Sequence, residues 1–342
     1  APVGQYELAP PPTAPGTPVV AEAAPPEVVL SQEAQTINLA AFEAATAPQA
    51  PTTGMGFDPL LLKAQVLLDR AHFSPGVIDG KNGGNVRLSV AGFEEAKGLP
   101  IDGKLDEAVW AALTAADGAP VMQSYVITAQ DVAGPFIGVR PDAYEDLAKL
   151  PAVGFERASE ALAEKFHMDE DLLLALNPGA GFAAGQSITV AAISADKLTG
   201  QVASIQVDKV RKSLRAYDAS GALLALYPAS VGSKEYPAPD GAWAVRAVAP
   251  NPVYYYNPER LTFGRDKVAG KLEIKAGPNN PVGSTWIDLT RDTYGIHGSP
   301  EPETIGKQQS HGCVRLTNWD VAELAAAVKA GTKVTFVSGK AA

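Results

Sequence analysis

Ile296-His297-Gly298 and, one loop later, Ser310-His311-Gly312-Cys313-Val314-Arg315-Leu316 hold the single cysteine of the chain and two of its four histidines. A thiol with imidazoles nearby, spaced by glycines that let backbone approach a substrate closely, is the residue set of a cysteine nucleophile and its base. The thiolate is the reactive form, and a free thiol is mostly protonated near neutral pH, so a base is required. His297 and His311 are the candidates. His311 stands only two residues before the sulfur, where it more easily shapes the loop. His297 arrives from a separate segment after an apolar strand and can approach from across the site. Its second ring nitrogen then needs an orienting group, and with no Asp or Glu adjoining it in sequence a backbone carbonyl is the expected partner. Gly312 leaves the backbone before the nucleophile open, which makes the N–H groups around Gly312 and Cys313 candidates for an oxyanion hole. His297, His311 and Cys313 are also possible zinc ligands, but no fourth ligand is evident, so neither a metal nor a cofactor is expected.

The elements that must hold these residues form a mostly-β domain over residues 200–338. Val202 to Val207, Ser213 to Tyr217, Ala222 to Pro228, Ala242 to Val248, Thr285 to Leu289 and Lys333 to Val337 are β-prone runs separated by Gly, Pro, Asp and Asn turns. One helix is predicted, Trp319 to Ala330, with a cap at Thr317-Asn318, an apolar stripe of Val321, Leu324 and Val328, and Gly331 as its stop. Cys313 is thus placed on a loop between the β scaffold and this helix.

At these residues the chain resembles the L,D-transpeptidase catalytic domain, also called the YkuD domain. The resemblance rests on Ile296-His297-Gly298-Ser299, Ile305-Gly306 and Ser310 to Leu316. Gly277-Pro278-Asn279-Asn280-Pro281-Val282-Gly283 upstream and Asn318, Asp320 and Gly331-Thr332-Lys333-Val334 downstream also match. It implies that Cys313 is the acyl-accepting nucleophile and His297 its base, oriented by the carbonyl of Gly298, with His311 and Gly312 shaping the oxyanion site. Arg315 stands where many relatives have Asn, and a guanidinium there suits a stem-peptide carboxylate. Ser310, Ser299, Tyr254 and Tyr256 complete the expected substrate contacts, with Tyr254-Tyr255-Tyr256 as a candidate lid. The implied reaction is attack of Cys313 on the third residue of a peptidoglycan tetrapeptide, commonly meso-diaminopimelate, with release of D-Ala. Transfer to an amine then gives a 3→3 cross-link, and carbapenems are expected to acylate the same thiol. The alternatives are an L,D-carboxypeptidase, attachment of a surface protein through the same thioester, and a non-catalytic peptidoglycan-binding anchor.

Upstream, three further segments are expected, which makes the whole a multidomain α+β chain. Residues 1–54 are rich in Pro and Ala with five glutamates and no base, and read as a disordered tether, with a local helix or a docked segment over Ile37 to Phe42 as the alternative. Residues 55–118 alternate helix and turn: Leu60, Leu61, Ala64 and Leu68, then Ser74-Pro75-Gly76 and Asp79-Gly80, then Leu88 to Ala96 ending at Gly98, then Asp106-Glu107 opening a helix through Val109, Trp110 and Leu113. With Gln65, Phe93, Gly98-Leu99-Pro100 and Asp102-Gly103, this order resembles the small three-helix peptidoglycan-binding domain, although Asn82 to Val86 stands where that family has a tighter turn. Residues 122–194 run strand, helix, helix, strand, closing on Gln186 to Val190. This resembles the LysM module, an α/β unit that binds N-acetylglucosamine glycans, with a long insertion from Val132 to Arg157 and no opening glycine-aspartate turn. His72 and His167 read as packing or surface histidines.

The net charge is −10, with 17 basic and 13 acidic residues from 200 to 342 against 11 and 25 before. No concentrated basic face favours nucleic acid, while the mildly cationic motif-bearing part suits an anionic small substrate. No apolar run reaches membrane-spanning length. The first residue is Ala1, and a removed export signal is the expectation, with action in the periplasm or envelope of a bacterium, as a monomer, on peptidoglycan stems and glycan strands.

Overall fold

The computed structural model describes residues 30–43, 56–194, 197–198, 201–233, 235, 238–259, 270–310 and 312–338. Helix α1 (Gln32–Leu39) falls inside the segment expected to be a disordered tether, so that expectation is corrected for residues 30–43. Ser31 caps it, and Ala34 and Ile37 are fully buried. Asn38 explains the docking: its Oδ1 accepts the N–H groups of Val121 and Met122, and its Nδ2 donates to the Met122 carbonyl. An eight-residue helix is marginal alone and draws its stability from such contacts, which composition does not reveal. The remainder of 1–54 lies outside the described residues.

Helices α2 (Pro59–Arg70), α3 (Gly84–Lys97) and α4 (Glu107–Ala116) form the predicted bundle. Asp58 caps α2 through the N–H groups of Leu60 and Leu61, Gly98 ends α3 in the left-handed conformation, and Asp106 caps α4. The two Asp-Gly turns are held alike. Gln65 Oε1 accepts from Asp79 and Gly80, and the Glu94 carboxylate accepts from Asp102 and Gly103. Each buried polar side chain thereby satisfies a turn that has no ladder partner.

The middle module comprises β1 (Met122–Val126), α5 (Tyr144–Leu147), α6 (Ala158–Lys165), α7 (Glu170–Leu176) and β2 (Ser187–Ala191), with β1 antiparallel to β2. Asn177, just past α7, exchanges hydrogen bonds with both backbone groups of Thr189 and so fixes the helices on the strand pair. Bundle and module share one core, in which Leu68, Phe93 and Leu113 meet Met122, Leu162 and Val190.

The C-terminal domain contains β3 (Ser204–Asp208), β4 (Ser213–Tyr217), β5 (Leu223–Pro228), β6 (Ser230–Val231), β7 (Gly241–Pro250), β8 (Tyr254–Tyr256), β9 (Leu272–Ile274), β10 (Thr285–Leu289), β11 (Gly295–His297), β12 (Val314–Arg315), α8 (Asn318–Ala327) and β13 (Lys333–Val337). A nine-stranded sheet runs β5-β4-β3-β13-β7-β10-β11-β12-β6, with the β3–β13 and β11–β12 pairs parallel and the rest antiparallel. The helix predicted to reach Ala330 ends at Ala327: the Thr332 hydroxyl accepts the Lys329 N–H and turns the chain early into β13. Thr317 caps α8 through the Asp320 N–H, and Val321 and Leu324 pack on the sheet.

The edge strand β5 does not face solvent unprotected. Ser74 N–H donates to the Leu226 carbonyl and Leu226 N–H to that of His72, so the bundle covers the edge. Ser74 Oγ also donates to Asp320 Oδ2 on α8 at 3.0 Å. The histidines expected to be bland serve this junction: His72 pairs with Glu323 at 2.6 Å, and His167 contacts Asp69 while stacking on Trp319.

Candidate active site

Ile296 lies opposite Val314 and His297 opposite Arg315 in the parallel pair β11–β12, so two segments distant in sequence become neighbours. Ile296 and Val314 are fully buried in the sheet core. Because strand side chains alternate faces, His297, Cys313 and Arg315 are turned to the other side, where all three line a cavity of about 310 Å3.

His297 is buried, and its Nδ1 stands 2.7 Å from the carbonyl oxygen of Gly298. A carbonyl only accepts, so Nδ1 carries the proton and Nε2 keeps its lone pair. The Trp286 ring stacks on the imidazole at 5.4 Å and 18° and holds its plane. Burial pushes the imidazole pKa down to about 4, with the Arg315 charge adding to the effect and the Gly298 carbonyl opposing it. Cys313 is partly covered, its Sγ 3.7 Å from the Thr293 carbonyl oxygen. Desolvation pushes its thiol up to about 11, against a Gly295 backbone hydrogen bond and the Arg315 charge. Thiol and imidazole are therefore both neutral at pH 7, and proton transfer must accompany attack.

Asn318 packs against the backbone of Gly298. Asn318 Oδ1 accepts the Ser284 N–H at 2.9 Å, and its Nδ2 donates to the Pro278 carbonyl and to Glu164 of the middle module. A Cβ on Gly298 would lie 2.0 Å from that Oδ1, so no side chain fits there. Gly312, at φ +121°, adopts backbone that L side chains rarely reach, which lets the chain turn directly into the nucleophile.

Ser310 acts on the chain rather than from it. Its Oγ donates to the Cys313 carbonyl at 2.6 Å and accepts the N–H groups of Gly232 at 2.6 Å and Gly312 at 3.3 Å. Ser310 lines the Cys313 cavity while clasping the nucleophile loop to the end of β6, and the Gly312 N–H expected in the oxyanion hole is engaged by it. Ser299 is fully buried, accepting the Glu301 N–H, and is not brought to the cavity. Tyr256 is also buried; it packs edge-on against Tyr144 and borders a neighbouring groove instead. Tyr254, Ser310 and Arg315 do line the cavity. Tyr254 to Tyr256 form β8, paired with β9. His311 lies outside the described residues, and the zinc alternative that needs it goes with it.

Residues 203–336 match the YkuD family, described as the L,D-transpeptidase catalytic domain, and residues 58–113 match a family described as "Putative peptidoglycan binding domain". A Bacillus licheniformis protein named "Putative L,D-transpeptidase YkuD" is 32% identical over 180 residues, which cover 52% of this chain and 91% of the relative. The chain belongs to the L,D-transpeptidase family. The Bacillus subtilis protein of the same name is 29% identical over 177 residues, covering 51% of this L,D-transpeptidase and 90% of its own length. The crystal structure of an L,D-transpeptidase from Xylanimonas cellulosilytica is 18% identical with a TM-score of 0.36, covering 85% of this chain and 98% of that one.

The cavity of this L,D-transpeptidase has a wall that sequence reasoning missed. Arg140, Asp142 and Tyr144 come from the insertion of the middle module and face Cys313 across the opening. Leu147 and Val153 of the insertion pack on Ile274 of β9, and the Val153 and Ala276 backbones are hydrogen-bonded. Trp286, Thr293 and Glu301 complete the lining. A long insertion bounded by prolines carries no local signal of where it folds back. Only the alternation around Trp286 in β10, whose neighbours Thr285 and Ile287 are buried, marks that side chain as facing the other side.

Proposed function

We propose that this L,D-transpeptidase forms a thioester between Cys313 and the third residue of a peptidoglycan donor stem and passes the acyl group to an amine. The observation that carries the reading is the His297 Nδ1 to Gly298 carbonyl contact, which reserves Nε2 as a proton acceptor in the cavity it shares with Cys313. The thiol proton moves to His297 Nε2 as sulfur bonds to the donor carbonyl carbon. The tetrahedral oxyanion takes the Cys313 N–H. Collapse breaks the C–N bond, and the imidazolium returns its proton to the departing D-Ala nitrogen. An acceptor amine then attacks the thioester and gives its proton to Nε2; the C–S bond breaks, the imidazolium returns that proton to sulfur, and a 3→3 cross-link and a restored thiol remain. Arg315, whose Nε is buried without an acceptor among the described residues, suits a stem carboxylate.

The three-helix bundle would hold the enzyme on peptidoglycan, and the middle module, with its strand, helix, helix, strand order, is a candidate LysM-like glycan binder. The substrate places the action outside the cytoplasmic membrane, where a lone thiol also escapes capture in an internal disulfide. Among the described residues no helix is long and apolar enough to cross a membrane.

The test is incubation of the protein with defined tetrapeptide muropeptides and mass analysis of the products, beside Cys313→Ala. Dimers joined between third residues are expected from the parent and none from the variant. Tripeptides alone would mean that water is the acceptor, and unchanged tetrapeptide would remove the acyl-transfer reading.

A further inference from the structure

The cavity holding Cys313 is lined by four charged side chains: Arg315 and Glu301 from the catalytic domain, Arg140 and Asp142 from the insertion of the middle module. The catalytic-domain pair is partly committed. Arg315 Nη2 donates to the Gln309 carbonyl at 2.6 Å. The insertion pair differs. Arg140 is anchored at both ends, its N–H donating to Glu156 Oε1 at 2.8 Å and its Nε to the Asn279 carbonyl at 2.9 Å, which aims the guanidinium while leaving both terminal nitrogens without a described acceptor. Asp142 is exposed and has no described ion pair or hydrogen bond, although Arg140 is two residues away. Opposite charges this close that do not neutralise each other offer an anion site and a cation site side by side.

We infer that Arg140 and Asp142 are specificity-determining residues that read a zwitterionic end on the donor stem, a carboxylate at Arg140 and an ammonium at Asp142. The inference rests on the proposed acylation of Cys313. A stem whose third residue ends in an amino acid, as meso-diaminopimelate does, offers both charges on one carbon. A stem with lysine there offers the ammonium alone, and an amidated diaminopimelate loses the carboxylate. The neighbouring cleft of about 380 Å3 holds one other arginine, Arg157, which is paired with Glu156 and Glu170, and this leaves Arg140 as the arginine on that rim with no described carboxylate partner for its guanidinium. The middle module would then take part in choosing the donor, whether or not it binds glycan.

The experiment measures kcat/KM for D-Ala release from three tetrapeptide donors, carrying diaminopimelate, amidated diaminopimelate or lysine at the third residue, with the parent enzyme, Arg140→Gln and Asp142→Asn. The parent should prefer diaminopimelate over either other donor by about tenfold or more, the factor that one charge-assisted hydrogen bond supplies. Arg140→Gln should collapse the preference over the amidated donor. Asp142→Asn, at an exposed position that does not endanger folding, should raise KM for all three donors, since each carries the ammonium, and leave the preference for the carboxylate in place. Because the Arg140→Gln readout is a ratio between donors, a general loss of activity cancels. A parent enzyme that treats the three donors alike, an Arg140→Gln variant that lowers all three equally, or an Asp142→Asn variant with unchanged KM would overturn the inference while leaving acylation intact. Failure of the parent to release D-Ala from any donor would overturn both.

Discussion

The backbone carbonyl of Gly298 lies 2.7 Å from Nδ1 of His297, the residue directly before it, and so takes the place that a carboxylate fills in a three-residue triad. The backbone that carries this carbonyl packs against the Asn318 amide.

Gly298→Ala should therefore misplace the imidazole. Its Cβ would fall 2.0 Å from Asn318 Oδ1, and either the buried, hydrogen-bonded Asn318 amide or the Gly298 backbone must shift to relieve the overlap. A displacement of that order costs about a hundredfold in rate. Thioester formation followed by mass spectrometry should slow by that factor while the protein still unfolds cooperatively; a rate equal to the parent's would show that another group orients the base.

The pH profile should distinguish a buried imidazole from an exposed one. With the His297 pKa lowered to about 4 by burial, the base stays deprotonated through the mildly acidic range, and kcat/KM for acylation should remain level until the pH approaches that value. The thiol, raised to about 11, bounds the alkaline side. An acid limb centred near 6.5 would contradict the desolvation of His297.

Asp320 should make stability fall as pH rises. Burial raises its carboxyl to about 8 against hydrogen bonds from Ser74 and Thr317, whereas in the unfolded chain it ionises near the ordinary 3.8. Between those values the folded state holds a proton that the unfolded state lacks. Its contribution is complete below the unfolded pKa and declines through the folded one, by roughly 1.4 kcal/mol per pH unit at most. Asp320→Asn keeps an acceptor for Ser74 and removes the titration. Thermal unfolding at pH 5, 7 and 9 should show the variant gaining on the parent as pH rises, and parallel curves would count against the assignment.

Ser310→Ala should lower kcat and leave KM in place, because its hydroxyl is spent on Gly232 and Cys313 backbone groups. The buried Gly232 N–H would lose its partner, for a stability loss of about 1–3 kcal/mol. A raised KM with kcat unchanged would return Ser310 to the role of a substrate contact.

Much of this molecule was legible locally. The limits of β4, β10 and β13 and the Asp106 and Thr317 regions follow from alternation, turn residues and capping, which depend on residues adjacent in the chain. The thiol and imidazole announce their chemistry by type alone, and the short β6, β8, β11 and β12 escaped because two or three residues carry no period to detect. Tertiary structure alone decided which segments meet. The parallel pairing of β11 with β12 brings His297 beside the Cys313 loop, α1 docks through Asn38, Ser299 and Tyr256 turn into the interior, and an insertion that reads as a spacer closes the cavity with Arg140, Asp142 and Tyr144. Residue type and periodicity are properties of neighbours in sequence. The choice of partner comes from apolar burial and hydrogen-bond satisfaction between segments far apart, as in the contact of Leu147 and Val153 with Ile274, and no single stretch of the chain encodes that by itself.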